Sequence, residues 1–309
     1  MPAAIGKQEL ITGIVVPIGA LTLASIAVAP PLVGGNLLDW VRYGCTYIST
    51  LNIGGGAADL GVASIGAIVF FLAGVVSGLS GFAFSAVAAC VLWLLPPLQA
   101  VPLIMLLSAC NQLLSLGTLR REMQLRHTPE REGALAYIVG GFAGAPIGLG
   151  LLQALPTHTF AAGLGIFLIV YSLFVLLKPD SLRITLSGWK PAVAVGAAGG
   201  IVGGFSAFPG SMPVVYLGLR GANKAETRGV TQPYILALQI ISLCFLALTH
   251  SAIFNVQFWL LWALTLPAVL LGSWIGVVLY RRMSEVNFRR AVLILLIVSG
   301  ISLLAKTLI

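Results

Sequence analysis

Two stretches of this chain carry hydroxyls and glycines amid residues that are almost all apolar: "GVVSGLSGFAFS", residues 74–85, and "GIVGGFSAFPGS", residues 200–211. The chemistry open to such stretches is coordination of a small anion. Gly78, Gly81, Gly204 and Gly210 let a ligand approach the backbone closely. Pro209 lacks an amide hydrogen and favours the start of a new helix. A helix starting there points its free N–H groups and positive dipole end at whatever lies in front of it. Ser80, Ser85, Ser206 and Ser211 either add hydroxyl donors or bond back to their own helices.

Other polar groups inside apolar runs are few. Asn111, Gln112 and Gln239 are amides that either line such a site or pair helices. Arg228, at the start of the run after the second stretch, either attracts an anion or sets topology. None of the nine Asp and Glu lies well inside an apolar run, which leaves a buried proton relay or a dedicated metal site unsupported. His127, His158 and His250 are isolated, and no Ser-His-Asp or paired-carboxylate set is visible, so no enzyme and no cofactor is expected. Cys45, Cys90, Cys110 and Cys244 form no CxxC pair and read as small core residues.

The elements that must position these residues follow from composition. Hydrophobic residues make up 59% and charged residues 8% of the chain, against about 25% charged in a soluble domain. Runs of this length and polarity span a bilayer as helices, and they lack the alternation of barrel strands, so an all-α polytopic membrane protein is expected. The net charge of +8 is explained by short basic loops and needs no nucleic acid. The first run, residues 11–29, ends in Ala27-Val28-Ala29 like a signal peptide, but its length and Pro30 favour a retained helix. The segment "LLDWVRYGCTYI" reads as an interfacial helix near Trp40 and Tyr43.

The two motif stretches are repeats of each other. Gly74, Gly78, Ser80, Phe82 and Ser85 meet Gly200, Gly204, Ser206, Phe208 and Ser211 without a gap. With small shifts Gln112 meets Gln239, Gly144 and Gly148 meet Gly272 and Gly276, and Phe160 meets Phe288. Three parts result: an N-terminal helix and extracytoplasmic segment (1–61), a first repeat (62–180) and a second (181–309). Each repeat holds a broken segment and three spans.

Fourteen of the seventeen Lys and Arg lie in the loops 120–131, 178–190, 220–228 and 281–290, whose counterparts in the other copy are nearly uncharged. Swapped loop character is what opposite orientation of the copies predicts, with the N-terminus cytoplasmic and the C-terminus outside. Both loops flanking the second broken segment are basic, and its legs are too short to cross singly. A re-entrant hairpin tipped at residues 206–211 satisfies both; a kinked, tilted span is the alternative.

An apolar repeat with "GVVSGLSGFAFSAVAACVLWLLPPLQA", a second copy with "GIVGGFSAFPGSMPVVYLGL" followed by "NKAETRGVTQPY", and "GAPIGLGLL" resemble the TauE/SafE sulfite exporter family of prokaryotic inner-membrane transporters. The resemblance implies transport of a small anion, sulfite or an organosulfonate, across the bacterial inner membrane. Phe82 and Phe208 then pack the tips or meet an apolar part of the substrate, while Ala83 and Phe84 depart from Pro209 and Gly210. An anion channel, a transporter of a non-sulfur anion and a non-transporting scaffold are the alternatives. The partners implied are the anion and the lipid bilayer; a homodimer is compatible with the sequence and not required by it.

Overall fold

The computed structural model describes residues 57–124, 133–178, 182–280 and 285–308. The expected first helix and the interfacial segment lie outside the described residues. The chain divides into two compact units, Met1–Ile65 and Gly66–Ile309, and the site lies within the second. Among the described residues the α-helices are α1 (Ala57–Ser80), α2 (Phe84–Ala88), α3 (Pro97–Gln124), α4 (Gly133–Ala154) and α5 (Thr157–Leu177). They continue as α6 (Trp189–Ser206), α7 (Ser211–Arg220), α8 (Lys224–Thr249), α9 (Val256–Tyr280) and α10 (Glu285–Leu308), and no described residue is in a strand.

Among the described residues, four helical stretches are long and apolar enough to cross a membrane: Gly133–Ala154, Thr157–Leu177, Glu226–Thr249 and Val256–Leu279. Their outward faces carry Phe142, Ile166, Val170 and Leu271, where a helix of a soluble protein would present polar residues to water. The protein is a polytopic helical membrane protein.

Both broken segments are helical hairpins, which answers the choice between hairpin and kinked span. α6 ends at Ser206, Ala207 takes left-handed backbone (φ 58°), and α7 starts at Ser211. The Ile184 amide donates to the Leu219 carbonyl at 3.0 Å and Tyr216 Oη to the Leu186 carbonyl at 2.8 Å, so the end of α7 returns to the chain leading into α6. In the first hairpin the break falls at Gly81 (φ 81°), and the return arm is α2 followed by a single 3-10 segment, Ala89–Trp93. A side chain at Gly66 would touch Leu94 at 3.7 Å, which places the end of the return arm back beside α1.

Each hairpin packs through glycine onto a helix of the other copy. A methyl group on Gly140, Gly144 or Gly148 of α4 would collide with the carbonyls of Val193, Ala197 or Ile201 on α6, and Gly196, Gly200 and Gly204 would meet α4 in the same way. Contact residues rise together along both helices, so α4 and α6 run parallel. Gly74 and Gly78 of α1 and Gly272 and Gly276 of α9 repeat the arrangement, with Gly78 against Ser273 as Gly204 is against Ala145. Glycine at every fourth residue lets two backbones approach where lipid supplies no hydrophobic drive for association. The last helices of the copies pair with each other. His158 Nε2 lies 2.9 Å from the Thr307 carbonyl, and Gly165 faces Gly300, so α5 and α10 run antiparallel.

Candidate functional site at the two hairpin tips

The tips are built alike at matched positions. Ser80 Oγ donates to the Val76 carbonyl at 2.8 Å, and Ser206 Oγ to the Val202 carbonyl at 2.7 Å. The amide of Gly81 returns to the Ser77 carbonyl at 2.6 Å, as the amide of Ala207 returns to Gly203 at 2.7 Å. Each left-handed residue then presents a carbonyl to the opposite side of the tip, and an amide from a long helix holds it. Gln112 Nε2 on α3 donates to the Gly81 carbonyl at 2.9 Å, and Gln239 Nε2 on α8 to the Ala207 carbonyl at 2.9 Å. Both glutamines stand near the middle of their helices, so the broken backbone is suspended at mid-height of the bundle. Unpaired backbone polar groups at that depth are costly, and these bonds satisfy two of them.

The serines are committed to this local structure. Besides donating to Val76, Ser80 Oγ accepts from the Phe82 and Ala83 amides at 3.3 and 3.1 Å. Ser211 Oγ donates to the Phe208 carbonyl at 3.1 Å, and Ser85 is buried within α2. Of the glycines singled out, Gly78 and Gly204 sit at the helix contacts already described, and only Gly81 and Gly210 are at the tips. Pro209 fills the space between the arms of its hairpin, against Gly199 and Gly203. Phe82 and Phe208 bring the tips together, with ring centroids 6.4 Å apart and planes 10° from parallel, and Tyr171 meets Phe208 edge-on at 5.7 Å.

The tips differ in what surrounds them. Arg228, in the first turns of α8, donates through Nη2 to the carbonyls of Leu79 and, at 3.5 Å, Gly78. Those carbonyls are the negative end of α1, where a guanidinium is favoured. Gln232, one turn further along α8, is buried and stands beside Gly81 with it. Asn111 Nδ2 donates to Ser77 Oγ at 2.6 Å behind the same tip. With Gln112 matched to Gln239, the counterparts of Arg228, Gln232 and Asn111 are Val101, Met105 and Leu238, and that of Ser77 is Gly203. Four polar residues around the first tip therefore answer to four apolar or bare positions around the second.

The motif "NKAETR" divides its labour. Asn223 Oδ1 accepts from the Glu226 amide at 3.0 Å, while Glu226 Oε2 accepts from the Asn223 amide at 2.8 Å. This capping box starts α8 and aims Arg228 at the first tip. Two residues that the repeat comparison passed over form a further matched pair. Lys178, after α5, donates to the Gly218 carbonyl at 2.9 Å near the end of α7. Lys306, near the end of α10, donates to the Leu92 carbonyl at the end of the first hairpin. Each return arm is thus held at its outer end by a lysine from the last helix of the other copy.

Two helical hairpins whose tips meet, with cationic and amide donors beside one of them, form a polar region inside a helical membrane protein. The family comparison says which kind: the Sulfite exporter TauE/SafE model matches residues 66–303, and the chain belongs to that family of membrane transporters. No match was found among curated proteins or among solved structures.

Proposed function

We propose that this chain is a secondary transporter that carries a small anion of the sulfite or organosulfonate class across the bacterial inner membrane, by alternating access between two inverted repeats. The observation that carries the reading is the matched suspension of the two tips, Gln112 on Gly81 and Gln239 on Ala207. Broken backbone held at mid-height by side chains of two long helices is the arrangement in which transporters expose helix ends to a solute. Inversion is supported by the swapped loop charges and by the antiparallel run of α5 against α10, which are equivalent helices of the two copies. The N-terminus is then cytoplasmic and the C-terminus extracytoplasmic. Since one chain contributes both tips, one chain is the unit of transport, alone or within a homodimer.

The hydroxyl hydrogens of Ser80, Ser206 and Ser211 are taken by backbone carbonyls and Ser85 is buried within α2, so the donors left to an anion in this reading are Arg228, the glutamine amides and backbone N–H groups at the tips. Counterflow in proteoliposomes tests it. Labelled sulfite is expected to exchange against unlabelled sulfite with no stationary conductance. A stationary anion current without counterflow would make the protein a channel, and absence of either would make it a scaffold.

A further inference from the structure

The outer end of the second hairpin carries more positive charge than its packing requires. The last carbonyls of α7 before Arg220 are already provided for: Leu217 accepts from the Ala222 amide at 3.0 Å, Gly218 from Lys178 Nζ at 2.9 Å and Leu219 from the Ile184 amide at 3.0 Å. Two guanidiniums are nevertheless gathered at this helix end. A side chain on Gly221 would meet Arg183 Cζ and Nη1 at 3.4 Å. Arg220 is the preceding residue, and its Cζ lies 5.7 Å from the centre of the Tyr216 ring. From residue 178 to residue 220 the sequence holds four cations, Lys178, Arg183, Lys190 and Arg220, against one carboxylate, Asp180. The first hairpin shows how little charge the packing itself needs. There Lys306 holds the Leu92 carbonyl as Lys178 holds that of Gly218, and Leu94 stands where the second copy has Arg220.

Apolar side chains surround these cations. Leu177 at the end of α5, Leu182 and Leu186 in the segment between α5 and α6, and Trp189 at the start of α6 are all exposed. α5 is one of the helices long and apolar enough to cross a membrane. A span that ends at Leu177 brings the following residues to the headgroup layer, where Trp is favoured and where cations meet lipid phosphates. The charged and apolar parts are also tied together. Tyr216, the ring under Arg220, is buried and donates through Oη to the Leu186 carbonyl at 2.8 Å, and the Ile184 amide, next to Arg183, is bonded to α7.

We propose that this surface binds the headgroup of an anionic phospholipid. Arg183 and Arg220 take the phosphate oxygens, which a guanidinium meets in pairs, while Leu182, Leu186 and Trp189 lie against the upper part of the acyl chains. A zwitterionic lipid is a poorer fit, because it brings a cation of its own to a place that already gathers several. Free phosphate is poorer as well, since it leaves the apolar rim unused. A bound lipid bridges the segment before α6 to the end of α7 and so braces the outer end of the second hairpin, a support that the first hairpin lacks at the matched place. The site is separate from the hairpin tips and does not depend on what they carry.

The test is titration of the purified full chain in detergent with dioleoylphosphatidylglycerol and with dioleoylphosphatidylcholine, the bound lipid being read by native mass spectrometry. The anionic lipid is expected to bind more tightly, by about fivefold for each guanidinium engaged, and to raise the thermal unfolding midpoint. Arg183→Gln, at an exposed position, should elute as the parent does and lose about fivefold of the preference. Arg183→Gln with Arg220→Gln should erase it; if that double variant does not fold, the single one decides. Lys306→Gln, an equal loss of charge at the matched place of the first hairpin, should keep it. Inorganic phosphate at millimolar concentration should not displace the lipid. Equal affinity for the two lipids, a preference unmoved by Arg183→Gln, an equal loss in Lys306→Gln, or displacement by inorganic phosphate overturns the site.

Discussion

Phe82 and Phe208 stack across the two hairpin tips, centroids 6.4 Å apart, and each ring sits next to a left-handed residue whose carbonyl is held by a glutamine. The alternating mechanism proposed above requires this contact between the tips of the two copies to slide or open. In a background with the four native cysteines replaced by alanine, Phe82→Cys with Phe208→Cys should be bridged by a short bifunctional thiol reagent. Bridging should stop sulfite counterflow, and reduction should restore it. Full exchange with the bridge intact would show that the tips need not part.

The two glutamine suspensions should behave as independent supports. Gln112→Leu and Gln239→Leu each leave a buried tip carbonyl without its donor, a loss of about 1–3 kcal/mol. Each should lower the thermal unfolding midpoint of the detergent-purified protein, and the double variant should show nearly the sum. If neither variant moves the midpoint, the tips are held by something else.

Glycine replacements separate packing from mere flexibility. Gly204→Ala and Gly276→Ala drive a methyl into a facing backbone carbonyl that cannot step aside, so about 1–3 kcal/mol or more is lost. Gly150→Ala and Gly218→Ala point into open space and should be neutral. Size-exclusion profiles of the four variants distinguish the pairs; equal profiles would mean that the helices are less closely packed than described.

The lysine caps supply a test of orientation. Lys178 and Lys306 occupy equivalent places in the two copies, so under inversion they lie at opposite faces of the membrane. Lys178→Cys should react with an impermeant thiol reagent only from the cytoplasmic side, and Lys306→Cys only from outside. Gln99→Cys should react only from outside and Lys224→Cys only from the cytoplasmic side. Labelling of both members of a pair from one face contradicts the inverted arrangement.

Much of this was legible in the residues. The glycine, serine and proline motifs located both breaks closely, with α1 ending at Ser80 and α6 at Ser206, because a break in an apolar helix requires residues that tolerate unusual backbone. The matched glutamines were visible because both copies keep them. Gln232 was not singled out, and the reach of Arg228 was not foreseen, for the opposite reason: a comparison of repeats rewards agreement, and these residues stand where the copies differ. Lys178 and Lys306 were hidden because their partners are backbone carbonyls of Gly218 and Leu92, and a carbonyl leaves no mark on residue type. The repeat alignment identified equivalent helices but could not say which of them touch.

That last point bears on how the protein is made. α1 finds its glycine-lined partner only in α9, and α4 finds its own in α6, so neither half can complete its packing from its own sequence. About 200 residues separate the end of α1 from the end of α9, which at ribosomal speed is about 10–40 s of synthesis. During that interval the first hairpin waits in the bilayer with its polar tip unsupported by the second copy. Gln112 of the same copy can hold the Gly81 carbonyl in the meantime, but the Gly78 and Leu79 carbonyls receive their guanidinium only when Arg228 has been made.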